Sequence, residues 1–255
     1  MIKRLLIKKA RKQQIDDKER IIDAEKIYFI EDVSKDYHCS DGVFSKDDLK
    51  KSGIIKTNKG KEFLIIEASF IDSFKGIKKL AQTIPLKDLG FILAETGIDK
   101  ESIIIDAGSG SGGAACFLAR YAKKVYSYDI HPKCLAQAKS NAEYFGIKNI
   151  EFKQLDAYKE IPARNVDLVL LDLPEPWRAI ESADKSLNKG GFIVVYCPQI
   201  TQSQQFINEI MKKDYLHLKT VEIIERDWKV EGQIVRPRSL SNIHSGFITV
   251  VRKIN

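Results

Sequence analysis

After about residue 100 the chain alternates between short apolar runs and amphipathic stretches, and few architectures accept that pattern. The runs are Ile103-Ile104-Ile105, Val125-Tyr126-Ser127-Tyr128, Ile150-Glu151-Phe152, Val166 to Leu171 and Phe192 to Tyr196. Near-continuous apolar runs of this kind are strands covered on both faces. The segments Ala114 to Ala122 and Pro132 to Phe145 read as the intervening helices, and a helical segment is expected after each later strand as well. Alternating β and α units build a parallel, doubly wound sheet. The ending differs: Leu218 to Ile224 and Phe247 to Val251 read as two strands with no helix between them, an antiparallel pair at the sheet edge.

Before residue 100 the texture is finer. Ile27 to Ile30 and Phe63 to Ile66 are short apolar stretches, set off by the turn signals Ser40-Asp41-Gly42 and Asn58-Lys59-Gly60. That spacing predicts small antiparallel strands and hairpins. Two helices are expected next, from about Ser69 to Lys79 and from Pro85 to Thr96, the second stopped by Gly97. The expected organisation is a small β-rich N-terminal domain over 1–70, a helical connector over 71–100 and the α/β domain over 101–255.

The formal net charge of +7 favours a polyanionic partner, because phosphates exchange bound counterions for Lys and Arg. No apolar run approaches the roughly 20 residues needed to cross a bilayer. The stretch Met1 to Ile7 is followed at once by Lys8, Lys9, Arg11 and Lys12 and lacks the small-residue cleavage site of a signal peptide. A cytoplasmic location is the expectation, with no membrane partner. The cysteines Cys39, Cys116, Cys134 and Cys197 form no paired ligand spacing, so no metal is expected.

Ile105-Asp106-Ala107-Gly108-Ser109-Gly110-Ser111-Gly112-Gly113 follows a strand and opens a helix. Glycines let the backbone turn tightly against a ligand, and the helix start supplies unpaired N–H groups. Gly108-x-Gly110-x-x-Gly113 satisfies the dinucleotide fingerprint, so the loop by itself admits NAD as well as S-adenosylmethionine. Asp129 ends the next strand, where a carboxylate accepts ribose hydroxyls or, alternatively, caps the following helix. Asp106 inside the loop resembles the acid of motif I in class I methyltransferases. Asp156-Ala157, after the third strand, resembles that class's adenine-contacting acid.

Asp167-Leu168-Val169-Leu170-Leu171-Asp172-Leu173-Pro174-Glu175-Pro176-Trp177 carries the most information. An apolar strand delivers Asp172 to the carboxyl end of the sheet, where open α/β folds bind ligands. Asp172-Leu173-Pro174-Glu175-Pro176-Trp177 resembles the tRNA (adenine-N1)-methyltransferase family that modifies T-loop adenosine 58 and, in archaea, adenosine 57. The likeness extends to His38-Cys39-Ser40-Asp41-Gly42, Thr57 to Phe63, Gln82-Thr83-Ile84-Pro85-Leu86-Lys87-Asp88, Arg226-Asp227-Trp228, Arg236-Pro237 and His244-Ser245-Gly246-Phe247. The chain departs from the family pattern at Pro85-Leu86, where Tyr-Pro is usual, and at Ala81, where Thr is common.

The resemblance implies an α/β, class I methyltransferase (Rossmann-like) seven-stranded sheet, with 101–255 as the S-adenosylmethionine-binding catalytic domain. It implies S-adenosylmethionine contacts from Gln82, Asp106, Gly108, Ser109, Gly110, Ser111, Gly112, Asp129, Ile130, Asp156, Ala157 and Asp172. It implies that Asp172 is the catalytic residue, bonding the adenine N6 group and either orienting it or taking its proton. Trp177 and His244 are candidate base contacts, each with a structural alternative: a core tryptophan and a satisfied histidine. It implies tRNA as partner and a homotetramer. A flipped T-loop base requires a basic surface, for which Lys3, Arg4, Lys8, Lys9, Arg11, Lys12, Lys50, Lys51, Lys56, Lys59 and Lys61 are candidates. Competing readings are a non-catalytic tRNA-binding subunit of the same fold, an NAD-dependent oxidoreductase, and a methyltransferase for precorrin or protein carboxylates.

Overall fold

The computed structural model describes residues 1–15, 18–231, 234–238 and 244–255. The chain divides into two compact units, Met1–Ile77 and Lys78–Asn255.

The first unit contains β1 (Arg4–Lys8), β2 (Arg11–Ile15), β3 (Lys18–Asp23), β4 (Lys26–Ile30), β5 (Tyr37–Cys39), β6 (Gly42–Phe44), β7 (Gly53–Lys56), β8 (Glu62–Glu67) and the helix α1 (Phe70–Lys75). An antiparallel sheet runs in the order β4-β1-β8-β7, and β2-β3 and β5-β6 are separate hairpins. The expected turns at Ser40-Asp41 and around Asn58 join β5 to β6 and β7 to β8. One face of the large sheet packs Leu6, Ile30, Ile55, Phe63 and Ile65 against Phe44 and Leu49. The other face leaves Ile27, Phe29, Ile54, Leu64 and Ile66 exposed. Asp41 is buried beneath Tyr28, Lys26 and Lys61, which bond its carboxylate at 2.5, 2.7 and 2.8 Å. These donors hold its carboxyl well below the usual carboxylate range.

The second unit contains α2 (Leu86–Thr96), β9 (Ile103–Ala107), α3 (Gly113–Leu118), β10 (Lys124–Asp129), α4 (Pro132–Tyr144), β11 (Ile150–Gln154), β12 (Val166–Leu171), α5 (Ile180–Ser186), β13 (Leu187–Cys197), α6 (Ile200–Ile210), β14 (Tyr215–Glu222), β15 (Trp228–Glu231), β16 (Ile234–Pro237) and β17 (Phe247–Lys253). The seven-stranded sheet has the order β11-β10-β9-β12-β13-β17-β14. Its first five strands pair in parallel, and β17 pairs antiparallel with both β13 and β14. The terminal antiparallel pair is therefore present, and β15 and β16 form a further hairpin between its strands.

Three expectations need correction. No helix follows β11: a turn at Asp156–Lys159 leads to β12 instead. Pro162 and Asn165, the latter at φ 57°, stop helical propagation in that short connection. The helix expected over Ala114 to Ala122 ends at Leu118. The one expected over Ser69 to Lys79 ends at Lys75, with Gly76 as its cap residue. No described helix is long and apolar enough to cross a membrane.

The sheet order sets the location of the site. The chain enters at β9, builds β10 and β11 on one side, then returns to place β12 on the other. The loops leaving β9 and β12 diverge there and open the crevice in which such sheets bind ligands. Gly108 follows β9 and Asp172 follows β12, so the sequence's two strongest motifs meet at this switch point.

Candidate active site

The glycine loop folds back on β10: the N–H groups of Gly108 and Ser109 both donate to the Tyr128 carbonyl, at 2.9 and 3.0 Å. Gly108 has φ 99°, and a Cβ there would lie 2.1 Å from the Asp172 carbonyl oxygen. No L side chain fits that approach, so this glycine sets the distance between the cofactor loop and the catalytic loop. Gly112, at φ 76°, turns the chain into α3 with Ala138 against it. The Asp129 carboxylate accepts the Gly110 N–H at 2.9 Å and the His131 N–H at 2.8 Å. A carboxylate has about four lone-pair directions, so these bonds leave capacity for two ribose hydroxyls.

Two lobes, each of about 260 Å³, meet here and share Gly108, Asp129, His131 and Asp172 in their walls. One lobe is walled by Tyr128, Ile130, Leu155, Ala157, Tyr158, Leu173 and Pro174, with Asp156 at its edge. Its apolar sides suit a flat heterocycle. The other is lined by Gln82, Thr83, Ile84, Ser109, Gly110 and Ser111. The Ser111 hydroxyl accepts the N–H groups of Leu80 and Ala81, at 2.8 and 3.1 Å, which fastens the 80–84 segment over the loop.

Two carboxyls define the electrostatics. Asp106 is 1% exposed; one oxygen accepts the Ser127 hydroxyl at 2.7 Å and the other, Oδ1, has no hydrogen-bond partner among the described residues. Burial pushes its carboxyl up to about 7. Asp172 is pushed up to about 7 by burial and then by the charge of Asp106. A nucleoside-bearing cation therefore fits the cleft: an apolar slot for the base, Asp129 for the ribose, and uncompensated negative charge between the lobes. S-adenosylmethionine has these groups in this order.

Of the residues singled out in the sequence, Gln82, Gly108, Ser109, Gly110, Ser111, Asp129, Ile130, Asp156, Ala157 and Asp172 line the lobes. Asp106 and Gly112 lie behind the wall. Trp177 lies in a 3₁₀ turn, Pro176–Ala179, and packs against the core. His244 lies between Glu222, 2.5 Å from Nδ1, and the Pro198 carbonyl, 2.9 Å from Nε2. Both partners are acceptors, so the imidazolium satisfies both; chiefly the Glu222 carboxylate raises its pKa. Neither Trp177 nor His244 lines the lobes.

Sequence reasoning missed Tyr128, His131, Leu155, Tyr158 and Leu173. Each stands within a few residues of a recognised motif, and position at a strand's carboxyl end was the available signal. It also missed the buried cluster at the start of α2. There Lys87 Nζ donates to Asp88 at 2.8 Å and to the Ile223 carbonyl and Ser245 hydroxyl, both at 2.6 Å. Asp88 in turn accepts from Ser245 at 2.8 Å and Tyr196 at 3.2 Å.

A sheet of this order with its glycine loop beneath a two-lobed nucleoside cleft defines a class I S-adenosylmethionine-dependent methyltransferase. The chain matches the family described as the tRNA methyltransferase complex GCD14 subunit over residues 76–246, and it belongs to that family. It is 32% identical to a tRNA (adenine(57)-N(1)/adenine(58)-N(1))-methyltransferase TrmI of Methanocaldococcus jannaschii, over 83% of this chain and 86% of that one. It is 29% identical to a tRNA (adenine(58)-N(1))-methyltransferase TrmI of Thermus thermophilus, over 79% and 81%. The crystal structure of an S-adenosylmethionine-dependent O-methyltransferase from Thermotoga maritima matches with a TM-score of 0.80 and 25% identity, covering 99% of this chain and 93% of that one. That of the tRNA (m1A58) methyltransferase TrmI from Aquifex aeolicus shares the fold at a TM-score of 0.78 and 21% identity, covering 99% and 97%.

Proposed function

We propose that the protein methylates N1 of the T-loop adenosine 58 of tRNA, with adenosine 57 as a second acceptor, and that Asp172 is its catalytic residue. The observation that carries this reading is the delivery of Asp172 by β12 to the junction of the two lobes, against Gly108, in a loop of the sequence Asp-Leu-Pro-Glu-Pro-Trp.

When bound, S-adenosylmethionine supplies an electrophilic methyl group on a sulfonium. The adenine N1 lone pair is nucleophilic without activation, so the protein's main task is orientation. Asp172 accepts a hydrogen bond from the N6 amino group and offsets the positive charge that develops on the ring. Gly108 keeps the two loops in contact, and Asp129 holds the ribose. Tyr158 and Gln202 fix the catalytic loop: the Glu175 N–H donates to the Tyr158 hydroxyl at 3.1 Å, and Gln202 donates to the Pro174 carbonyl at 2.8 Å.

A homotetramer acting in the cytoplasm is part of the proposal. The exposed apolar sheet face of the first unit supports self-association. Exposed Lys3, Lys9, Arg11 and Lys59 support phosphate binding. Arg4, Lys8, Lys50, Lys51, Lys56 and Lys61 are ion-paired within the unit, which reduces their net contribution. The Lys12 side chain lies outside the described residues.

The test is methylation of an unmodified tRNA transcript with labelled cofactor, followed by nucleoside mass spectrometry. The expected product is 1-methyladenosine mapping to the T-loop, lost in Asp172→Asn while cofactor binding persists. Label in another nucleoside, or undiminished turnover in Asp172→Asn, would overturn the assignment.

A further inference from the structure

Asp106 and Asp172 stand on neighbouring strands, and the Asp172 N–H donates at 2.9 Å to the carbonyl of Ala107, the residue after Asp106. Asp106 is sealed from solvent with Oδ1 unpartnered among the described residues, and Asp172 is half-buried where the lobes join. The groups facing them are Cys116 on α3, Ser127 and Asp129 on β10, and Tyr196 and Cys197 on β13. None of these carries a positive charge, and His131 shares the walls of both lobes with Asp172. A buried and a half-buried carboxyl in such surroundings do not ionise together cheaply. The negative charge also raises its surroundings: burial, then Asp106, pushes the Cys116 thiol up to about 12.

In S-adenosylmethionine the sulfonium joins the nucleoside to the methionine chain. A ligand filling both lobes therefore puts its charge at their junction, beside Asp172. We propose that Asp106 and Asp172 hold one proton between them in the cofactor-free enzyme and release it to solvent when the sulfonium enters, so that the site distinguishes S-adenosylmethionine from its neutral thioether product.

The charges balance at each stage. One cation, the proton, leaves as another, the sulfonium, arrives. On methyl transfer the adenine N1 lone pair would form the new bond to the methyl carbon as the sulfur–methyl bond breaks, its electron pair staying on sulfur and the positive charge passing to the methylated adenine. When that base departs, the pair takes a proton back from solvent. The thioether is then left without electrostatic partners, which favours its release. The inference deepens the cofactor reading and rests on it, but is independent of which nucleic acid is methylated.

The experiment is calorimetric titration of the full chain, without tRNA, with S-adenosylmethionine and separately with S-adenosylhomocysteine. Two buffers of different ionisation enthalpy at pH 7 count the protons released. Both ligands carry the same amino and carboxylate groups, so the difference between them isolates the sulfonium. The expected result is proton release with the sulfonium alone. Its affinity should rise about tenfold from pH 6 to pH 8 for a group titrating near 7, while that of the thioether changes far less. Asp106→Asn and Asp172→Asn should each remove the difference. Equal release by both ligands would overturn the proposal while leaving the cofactor assignment intact. So would a difference that survives in both variants, which would place the proton on neither carboxyl. Failure of either ligand to bind would overturn the cofactor reading along with it.

Discussion

Gly108→Ala introduces a Cβ 2.1 Å from the Asp172 carbonyl, at a φ that L residues rarely adopt. The two loops must then separate, and the expected outcome is a cofactor affinity reduced by at least about tenfold, as for strain of roughly 1–3 kcal/mol. Calorimetric titration with circular dichroism checks it; unchanged affinity would mean the loops do not need their contact. A second residue, Asp106, carries a stability prediction with a definite sign. Its folded-state pKa is raised to about 7, from the ordinary 3.8. Between those values the folded state binds more protons than the unfolded one, so stability falls as pH rises through that window and is level beyond it. Asp106→Asn should therefore stabilise the protein at pH 8, by up to about 4 kcal/mol if the full shift is realised, and change it little at pH 4. Thermal melts at the two pH values decide; equal effects at both would remove burial of charge as the cause.

Among the secondary-structure elements, α2 is tied by the Lys87–Asp88 pair to the carboxyl ends of β13 and β14 and to the start of β17. Asp88 is fully buried and the Lys87 side chain nearly so, which makes the pair costly to break. Asp88→Ala leaves the ammonium without its counter-ion and should destabilise by about 3–5 kcal/mol. The double change Lys87→Met/Asp88→Asn should recover a large part, since the introduced amide oxygen still accepts from Tyr196 and Ser245. Urea titrations of both variants check this; a double variant no more stable than Asp88→Ala would show that an unpaired ammonium is not the cause. Lys87 and Asp88 belong to a motif visible in the sequence, but their partners lie 108 to 158 residues away along the chain and are not. By contrast, the helix from Leu86 to Thr96 is legible, because its apolar spacing and the left-handed Gly97 at its end are local. The turn after β11 is the opposite case: strand–helix alternation predicts a helix there, and Pro162 outweighs the alternation.

Self-association and nucleic-acid binding involve the protein as a whole and draw on different surfaces. The apolar face of the first unit presents Ile27, Phe29, Ile54, Leu64 and Ile66 to solvent in one chain. If the tetramer buries this face, the wild-type protein should scatter light as four times its 29.0 kDa chain. Phe29→Lys with Ile66→Lys should then yield a smaller species. An unchanged mass in the double variant would place the interface elsewhere. A basic surface reading phosphates makes a separate demand: tRNA affinity should fall steeply and log-linearly with salt, while cofactor affinity should not. Filter binding across a salt series would show this, and a flat response would rule out phosphate contacts as the source of affinity.

The strand–helix order, the glycine loop and the acids at the ends of β9, β10 and β12 are all written locally in the chain, as period, turn chemistry or strand end. The family motifs are local too, and through them the cofactor is legible. What these pieces face depends on the folded arrangement. The apolar lobe draws Tyr128 from the end of β10, Leu155 and Tyr158 from the connection after β11 and Leu173 from the loop after β12, and they converge because β12 is laid beside β9 rather than after β11. The unpartnered oxygen of Asp106 and the placement of Trp177 and His244 away from the lobes follow from packing of the same kind. Desolvation and contact distance depend on every neighbour at once, and one-dimensional spacing does not contain them.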